Sequence, residues 1–180
     1  MKALKSAKDR LEGGFTLVEL VLVLLVIGVL ASLAIPKFVD LKRDAQITVL
    51  KGVVGSLNST TAIYQPVAAI HGIKNGGVPI NGDTVQFRAG FPDGHWNNAF
   101  RYILDAATKA GYTRANARCT GYRLCGVGNR SRIPGVAGTT GGRGVIIWPE
   151  GYIIGDNCFT YYYNLYDGSY PLIGSVDSGC

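Results

Sequence analysis

A chain of 180 residues, 47% apolar and only 17% charged, holds enough apolar material for one packed domain and excludes a charged, disordered polymer. Its 25 glycines follow no G-X-Y period, which excludes collagen. Lys and Arg outnumber Asp and Glu by 18 to 12, giving +6, and 4 Cys with 2 His leave little material for a metal site.

The apolar residues are concentrated near the start. Residues 1–14, MKALKSAKDRLEGG, carry Lys2, Lys5, Lys8 and Arg10 against Asp9 and Glu12. The next 21 residues, Phe15 to Ile35, contain one charge, Glu19. As a helix this run is about 31 Å long, close to the thickness of a bilayer's hydrocarbon core. Lys37, Lys42 and Arg43 close its far side. A secretory signal peptide is one reading, with Ser32-Leu33-Ala34 as a small-x-small cleavage site, but the run exceeds the usual apolar region and has Glu19 inside it. A plain membrane anchor is another, and the basic residues on its two sides favour a cytoplasmic N-terminus only weakly. Neither accounts for Glu19 together with the glycine pair before Phe15.

GGFTLVEL at 13–20, with the apolar run ending in AIPKF at 34–38, resembles the N-terminus of type IV pilin precursors of the type IVa kind. PKFVDLKRDAQITVLKGVVGSLNS, 36–59, is similar to the mannose-sensitive haemagglutinin branch of those pilins. This resemblance covers about the first third of the chain. It implies that a prepilin peptidase cuts between Gly14 and Phe15 on the cytoplasmic side and methylates the new amine of Phe15. Loss of that leader, residues 1–14, leaves residues 15–36 as a transmembrane and filament-core helix and 37–180 as an amphipathic helix with a globular head. It lowers the net charge from +6 to +4. The resemblance further implies a structural subunit and not an enzyme, with no cofactor, catalytic residue or metal. Its partners would be identical subunits, the membrane before assembly, an inner-membrane assembly platform, a motor ATPase and an outer-membrane secretin. A major pseudopilin of type II secretion, which shares this N-terminus, is the alternative within the class, and a membrane-tethered binding domain that never polymerises is the alternative outside it.

A carboxylate in hydrocarbon is costly, so Glu19 is expected to be paired or functional. Phe15 and Glu19 lie one helical turn apart. Among staggered identical helices, Glu19 of one subunit can meet the Phe15 amine of the next, and the resemblance implies that pairing. Its expected role is to set registry, the best-attested use of a buried ion pair. The plainer alternative is a Glu that snorkels to the interface.

From Lys37 onward the helix pattern becomes amphipathic, with Ile47, Leu50, Val54, Leu57, Thr61 and Tyr64 at 3-4 spacing. Pro36 is expected to loosen the helix, Pro66 to kink or end it, and Gly72 with Asn75-Gly76-Gly77 to stop it. The helix then has about 50 residues. Its apolar first half must be buried in lipid or among copies of itself.

The remainder reads as the β part of an α+β fold. His71 to Asp93 is expected as a loop with a possible hairpin around Thr84–Phe87, and Asn98–Ala110 as a short helix holding Phe100, Ile103, Leu104 and Ala107, ending at Gly111. Tyr122–Cys125, Gly144–Trp148, Tyr152–Ile154 and Cys158–Tyr163 are expected to form an antiparallel sheet of about four strands on the long helix. The four cysteines allow three pairings. In the light of the resemblance, which includes a disulfide-bounded C-terminal region, Cys119–Cys125 and Cys158–Cys180 are the expected bridges. Zinc is disfavoured because the spacings lack C-x₂-C and no His lies near.

Other features suggest chemistry only on the surface. His71 and His95 are the only histidines, His95-Trp96-Asn97 beside a helix start reads as a structural or surface feature, and no nucleophile motif surrounds any serine. GVAGTTGGRG, 135–144, lacks the Gly-Lys-Ser/Thr ending of a phosphate loop. Asn58 and Asn129 each sit in a glycosylation sequon, a weak signal here. Arg114, Arg118, Arg123, Arg130, Arg132 and Arg143, with Tyr112 and Tyr122, admit nucleic-acid binding, although a solvated face is the commoner meaning of such a run. Tyr161-Tyr162-Tyr163 and Tyr166 admit a glycan-binding surface, although alternating strand tyrosines usually divide between core and interface.

Overall fold

The computed structural model describes residues 15–104 and 110–180, apart from the side chain of Pro36. The leader 1–14 with Gly14, and Ala107, lie outside the described residues. The chain divides into two compact units, Met1–Lys42 and Arg43–Cys180.

Helix α1, Leu17–Ile70, passes through Pro36 and Pro66 without ending at either. Pro66 is exposed, so the carbonyl that loses its intrahelical partner can turn to water, as expected of a tolerated helix proline. The helix stops through a Schellman arrangement: Ile73 N–H donates to Ala68 O and Gly72 N–H to Ala69 O, with Gly72 at φ 66°. Within the second unit α1 buries Leu50, Val53, Leu57, Thr61 and Ala68, while Ile47, Val54 and Tyr64 are half-buried.

Residues 71–93 form more than a loop. Strands β1 (Gly76–Ile80), β2 (Asp83–Arg88) and β3 (Phe91–Pro92) make a three-stranded antiparallel sheet. Ile80 pairs with Asp83 across Asn81-Gly82, both at positive φ, the two-residue hairpin turn that Asn-Gly favours. The expected helix over Asn98–Ala110 is also corrected. A π-helical turn, Trp96–Phe100, runs into a short α2, Arg101–Ile103, and Leu104 is already extended. Ala110 instead opens β4 (Ala110–Tyr112). Phe100 and Ile103 are buried, so the apolar spacing marks a packed turn rather than a longer helix.

The second sheet has five strands in the order β4, β5 (Leu124–Arg130), β6 (Arg143–Pro149), β7 (Phe159–Asn164) and β8 (Leu172–Val176). All neighbouring pairs are antiparallel except β4 with β5, which is parallel. Tyr152–Ile154 is not a strand. Its chain turns into a 3₁₀ segment, Ile154–Asp156, closed by Asn157 in the left-handed region. The added strand β8 carries Gly174 and Ser175 and shows little apolar alternation.

Strand β6 explains the layering. Its residues from Gly144 to Pro149 are all buried, the mark of a strand covered on both faces. Val145 and Ile147 pack with Val53 and Leu57 of α1, with Phe87 and with Phe100. Ile146 and Trp148 face the opposite way, into a cluster with Cys119, Cys125, Ile133 and Phe159. In β7, Tyr162 joins the first cluster, its ring centroid 4.6 Å from that of Phe100, and Tyr163 joins the second. Strand β5 reaches its close packing through glycine. A Cβ on Gly126 would collide with the Trp96 ring, and one on Gly128 with the Trp96 backbone.

Candidate assembly surface

Thr16 starts α1. Its hydroxyl accepts the Glu19 N–H at 3.2 Å, the N-cap half of a Thr-x-x-Glu capping arrangement. The Thr-x-x-Glu spacing is the sequence signal for this role of Thr16. Glu19 lies in the first turn, where a carboxylate is favoured by the helix dipole. From Phe15 to Ile35 every large apolar side chain is exposed; Phe15 is 78% exposed. This helix is long and apolar enough to cross a membrane.

Further along α1, inside the second unit, the outward face is also unusual. Lys51 is the only charged residue between Ala45 and Ile70. Gly52, Gly55, Ser59, Ala62, Pro66 and Ala69 recur at alternating spacings of three and four, and all are exposed. A Cβ on Gly52 or Gly55 would meet nothing within 4 Å. Ile63 and Ile70 flank this line, 61% and 83% exposed. Such a seam of small residues lets a second helix approach closely.

The remaining sequence candidates fall into separate places. Cys119 is joined to Cys125, and Cys158 to Cys180. Among the described residues no group of His, Cys, Asp and Glu could hold a metal ion. The arginines do not form one patch. Arg118, whose guanidinium donates to Gly151 O, and Arg123 lie by the start of β5, whereas Arg130, Arg132 and Arg143 lie by its end. Arg143 is engaged locally, donating from Nε to Asn129 Oδ1 and from Nη1 to Gly142 O. His71 sits at the exposed end of α1. His95 Nδ1 lies 2.9 Å from Asp93 Oδ2.

Asp93 anchors a buried polar network. Tyr166 donates its hydroxyl hydrogen to Asp93 Oδ1, and Tyr162 donates to Pro92 O at 2.7 Å. Asn164, fully buried, donates from Nδ2 to Arg88 O at 2.9 Å. The tyrosine hydroxyls are pushed well above the ordinary phenol range, by burial first and then by the Asp93 carboxylate. In the unfolded chain these phenols titrate near pH ~10. Their folded values are raised, so the contribution is complete below pH ~10 and is lost as pH rises above it. The expected result is a denaturation midpoint that falls between about pH 8 and about pH 11, and falls less in Tyr166→Phe. Equal slopes for the two proteins would contradict this role for Tyr166.

Comparison with a family model points to the same end of the chain. The prokaryotic N-terminal methylation motif is matched over residues 9–35. The type IV narrow pilus major component PilA5 of Thermus thermophilus is 35% identical over 66 residues, 37% of this chain and 51% of that protein. The type II secretion system core protein G of Pseudomonas aeruginosa is 32% identical over 56 residues, 31% of this chain and 39% of that protein. The match therefore spans about half or less of each relative, and neither relative bears on the mannose-sensitive haemagglutinin branch. No solved structure matches this chain significantly. This chain thus carries the N-terminal methylation motif, has a long N-terminal helix followed by a mostly antiparallel sheet, and is similar over part of its length to a type IV pilus component and a type II secretion core protein.

Proposed function

We propose that this protein is the structural subunit of an extracellular filament. It is held in the membrane as a precursor, cut between Gly14 and Phe15 by a prepilin peptidase, methylated at Phe15, and polymerised through α1. In this reading residues 1–14 are the leader, 15–36 the membrane and filament-core segment, and 37–180 the amphipathic helix with its head. The N-terminus of the precursor faces the cytoplasm and the head the periplasm. Further partners are an inner-membrane assembly platform, a motor ATPase and an outer-membrane secretin. The filament serves attachment to surfaces.

The observation that carries the reading is the exposed apolar surface of Phe15–Ile35, which water does not tolerate. Each buried Å² of such surface is worth about 25 cal/mol. Lipid satisfies it before assembly, and neighbouring copies satisfy it afterwards. The uncharged small-residue seam from Gly52 to Ala69 supports the same conclusion in the other unit, because it suits a second copy of a smooth helix. The kinship to the secretion core protein favours a second reading, a major pseudopilin of type II secretion.

Ala62→Arg tests the proposal without touching the core, since Ala62 is exposed. An Arg there places a bulky charge on the seam. The expected result is an unchanged amount of membrane-held precursor, normal removal of the leader, and about tenfold less sheared surface fibre. Wild-type fibre yield from this variant would show that the seam is not an assembly surface. Fibre found only in the periplasm, for the unaltered chain, would favour the pseudopilin reading.

A further inference from the structure

In the second unit α1 carries few charges, and their spacing is informative. Between Arg43 and Ile70 the only acid is Asp44, and past Ala45 the only base is Lys51. The two stand seven residues apart, two helical turns or about 10.5 Å. Asp44, Lys51, Gly55, Ala62 and Ala69 follow one another at steps of seven, four, seven and seven residues, so they share one stripe of the helix. All five are exposed. Another side of the same helix is committed to the head, where Leu50, Val53, Leu57 and Thr61 are buried.

Neither charge is satisfied within its own subunit. On a helix, residues three and four places apart are the ones that meet. For Lys51 these are Ile47, Thr48, Val54 and Gly55, none of them charged. For Asp44 they include Ile47 and Thr48, and the Thr48 hydroxyl donates to the Asp44 backbone carbonyl at 2.8 Å, not to its carboxylate. Asp40 and Leu41, four and three residues before Asp44, bring no positive charge. Arg43 is next to Asp44 in sequence and points to a different side. No ion pair of Asp44 or Lys51 is present among the described residues.

A second copy that covers the seam covers Lys51 with it. A lone ammonium in an otherwise uncharged contact is costly and demands an acid. Subunits of one filament run in the same direction. With two helices in register, Lys51 would face Lys51 and Asp44 would face Asp44, and such like-charge contacts suppress that packing. With one helix shifted by seven residues, Lys51 of one copy comes level with Asp44 of the next. The flexible stem of Lys51 tolerates a shift somewhat to either side. A helical filament gives each subunit several neighbours at different shifts, so this pair and that of Glu19 with Phe15 need not join the same two copies.

We propose that Lys51 of one subunit and Asp44 of a second subunit form an ion pair across the α1 seam. The pair rejects in-register packing of the two helices and selects a shift of about two turns. The inference rests on the filament reading and goes beyond it by naming the charges that set this shift in the second unit.

The test is a cycle of Lys51→Glu, Asp44→Asn and the two together in the full chain, read as sheared surface fibre against precursor in the membrane. Both positions are exposed, so precursor amount, leader removal and thermal midpoint are expected to stay unchanged in all three variants. Lys51→Glu sets two acids against each other and is expected to lower fibre yield about tenfold. Asp44→Asn is expected to lower fibre yield in the otherwise unaltered chain and to raise it in the Lys51→Glu chain, because there it removes a repulsion. That reversal of sign is the signature of a direct pair, and the two-turn separation within one helix assigns it to different subunits. Wild-type fibre from Lys51→Glu, or an effect of Asp44→Asn that has the same sign in both backgrounds, would overturn the proposal. Fibre lost in Ala62→Arg but kept in Lys51→Glu would overturn this pair and leave the filament reading standing. An unaltered chain that makes no fibre at all would overturn both.

Discussion

Glu19→Ala is expected to insert in the membrane as well as the unaltered chain and to yield almost no filament. Glu19 is exposed, and within the subunit the Ala variant loses only a favourable first-turn charge, about 0.3–1 kcal/mol. The loss in the polymer is far larger. If the Glu19 carboxylate meets the Phe15 amine of a neighbour, removing it leaves a positive charge unpaired among apolar helices. Stranding one member of a buried pair costs about 3–5 kcal/mol. That is about a hundredfold or more in the association constant of each added subunit. Fibre protein in the sheared fraction, measured against precursor in the membrane fraction, reads this directly. The capping role of Thr16 provides the control. Thr16→Ala removes the hydroxyl that accepts the Glu19 N–H and is expected to cost about 1 kcal/mol without stranding a charge. Equal loss of fibre in the two variants would reduce Glu19 to a helix-start residue.

The second large effect is on the head. Replacing Cys158 and Cys180 together by Ser is expected to lower its stability by about 3 kcal/mol, the loop-closure contribution for a bridge of this span. For a domain of this size that is a fall of roughly 6–12 °C in Tm. The bridge ties the buried Cys158 at the start of β7 to the last residue described. Around it, Gly179 N–H donates to Asn157 O at 3.1 Å and the Tyr152 hydroxyl reaches Cys180 O at 3.4 Å. Without the covalent link the tail is held beside β7 by these contacts and by the β7–β8 pairing that precedes it. Cys119 and Cys125, six residues apart, close a much smaller loop, so their removal acts mainly by opening the cluster around Trp148. Thermal unfolding followed by far-UV circular dichroism checks both pairs. A double Ser variant at 158 and 180 that melts with the unaltered chain would show that the tail is held by packing alone.

The parts of this molecule that were legible in its sequence are those decided by local composition. An apolar run with one acid four residues past an aromatic residue is informative by itself, and α1 follows from it. The continuous apolar run Gly144–Trp148 and the aromatic run Phe159–Tyr163 likewise mark β6 and β7. What escaped was decided by contacts between distant segments. Ala110-Gly111-Tyr112 becomes a strand because the Tyr122 ring lies over Gly111 and because β5 offers a free edge. Leu172–Val176 contains Gly and Ser and becomes a strand only by pairing with β7. The Asn81-Gly82 hairpin was readable by its turn residues, but Pro79 and the glycines before it concealed the strands.

The candidate sites divide in the same way. Phe15, Glu19 and the apolar run are visible as a linear motif. The small-residue seam on α1 is also linear, yet it acquires meaning only once the opposite face is known to be buried. A cavity beside Tyr166 was not readable at all, because its walls are 65–75, 89–91 and 166–168 and no local pattern connects them.

Intact mass and N-terminal sequence of protein recovered from sheared surface fibres test the central claim most directly. The account predicts a polymer whose chains begin at N-methylated Phe15 and carry both disulfides. Recovery of chains that begin at Met1, or of protein that stays monomeric after the leader has been removed, would contradict it.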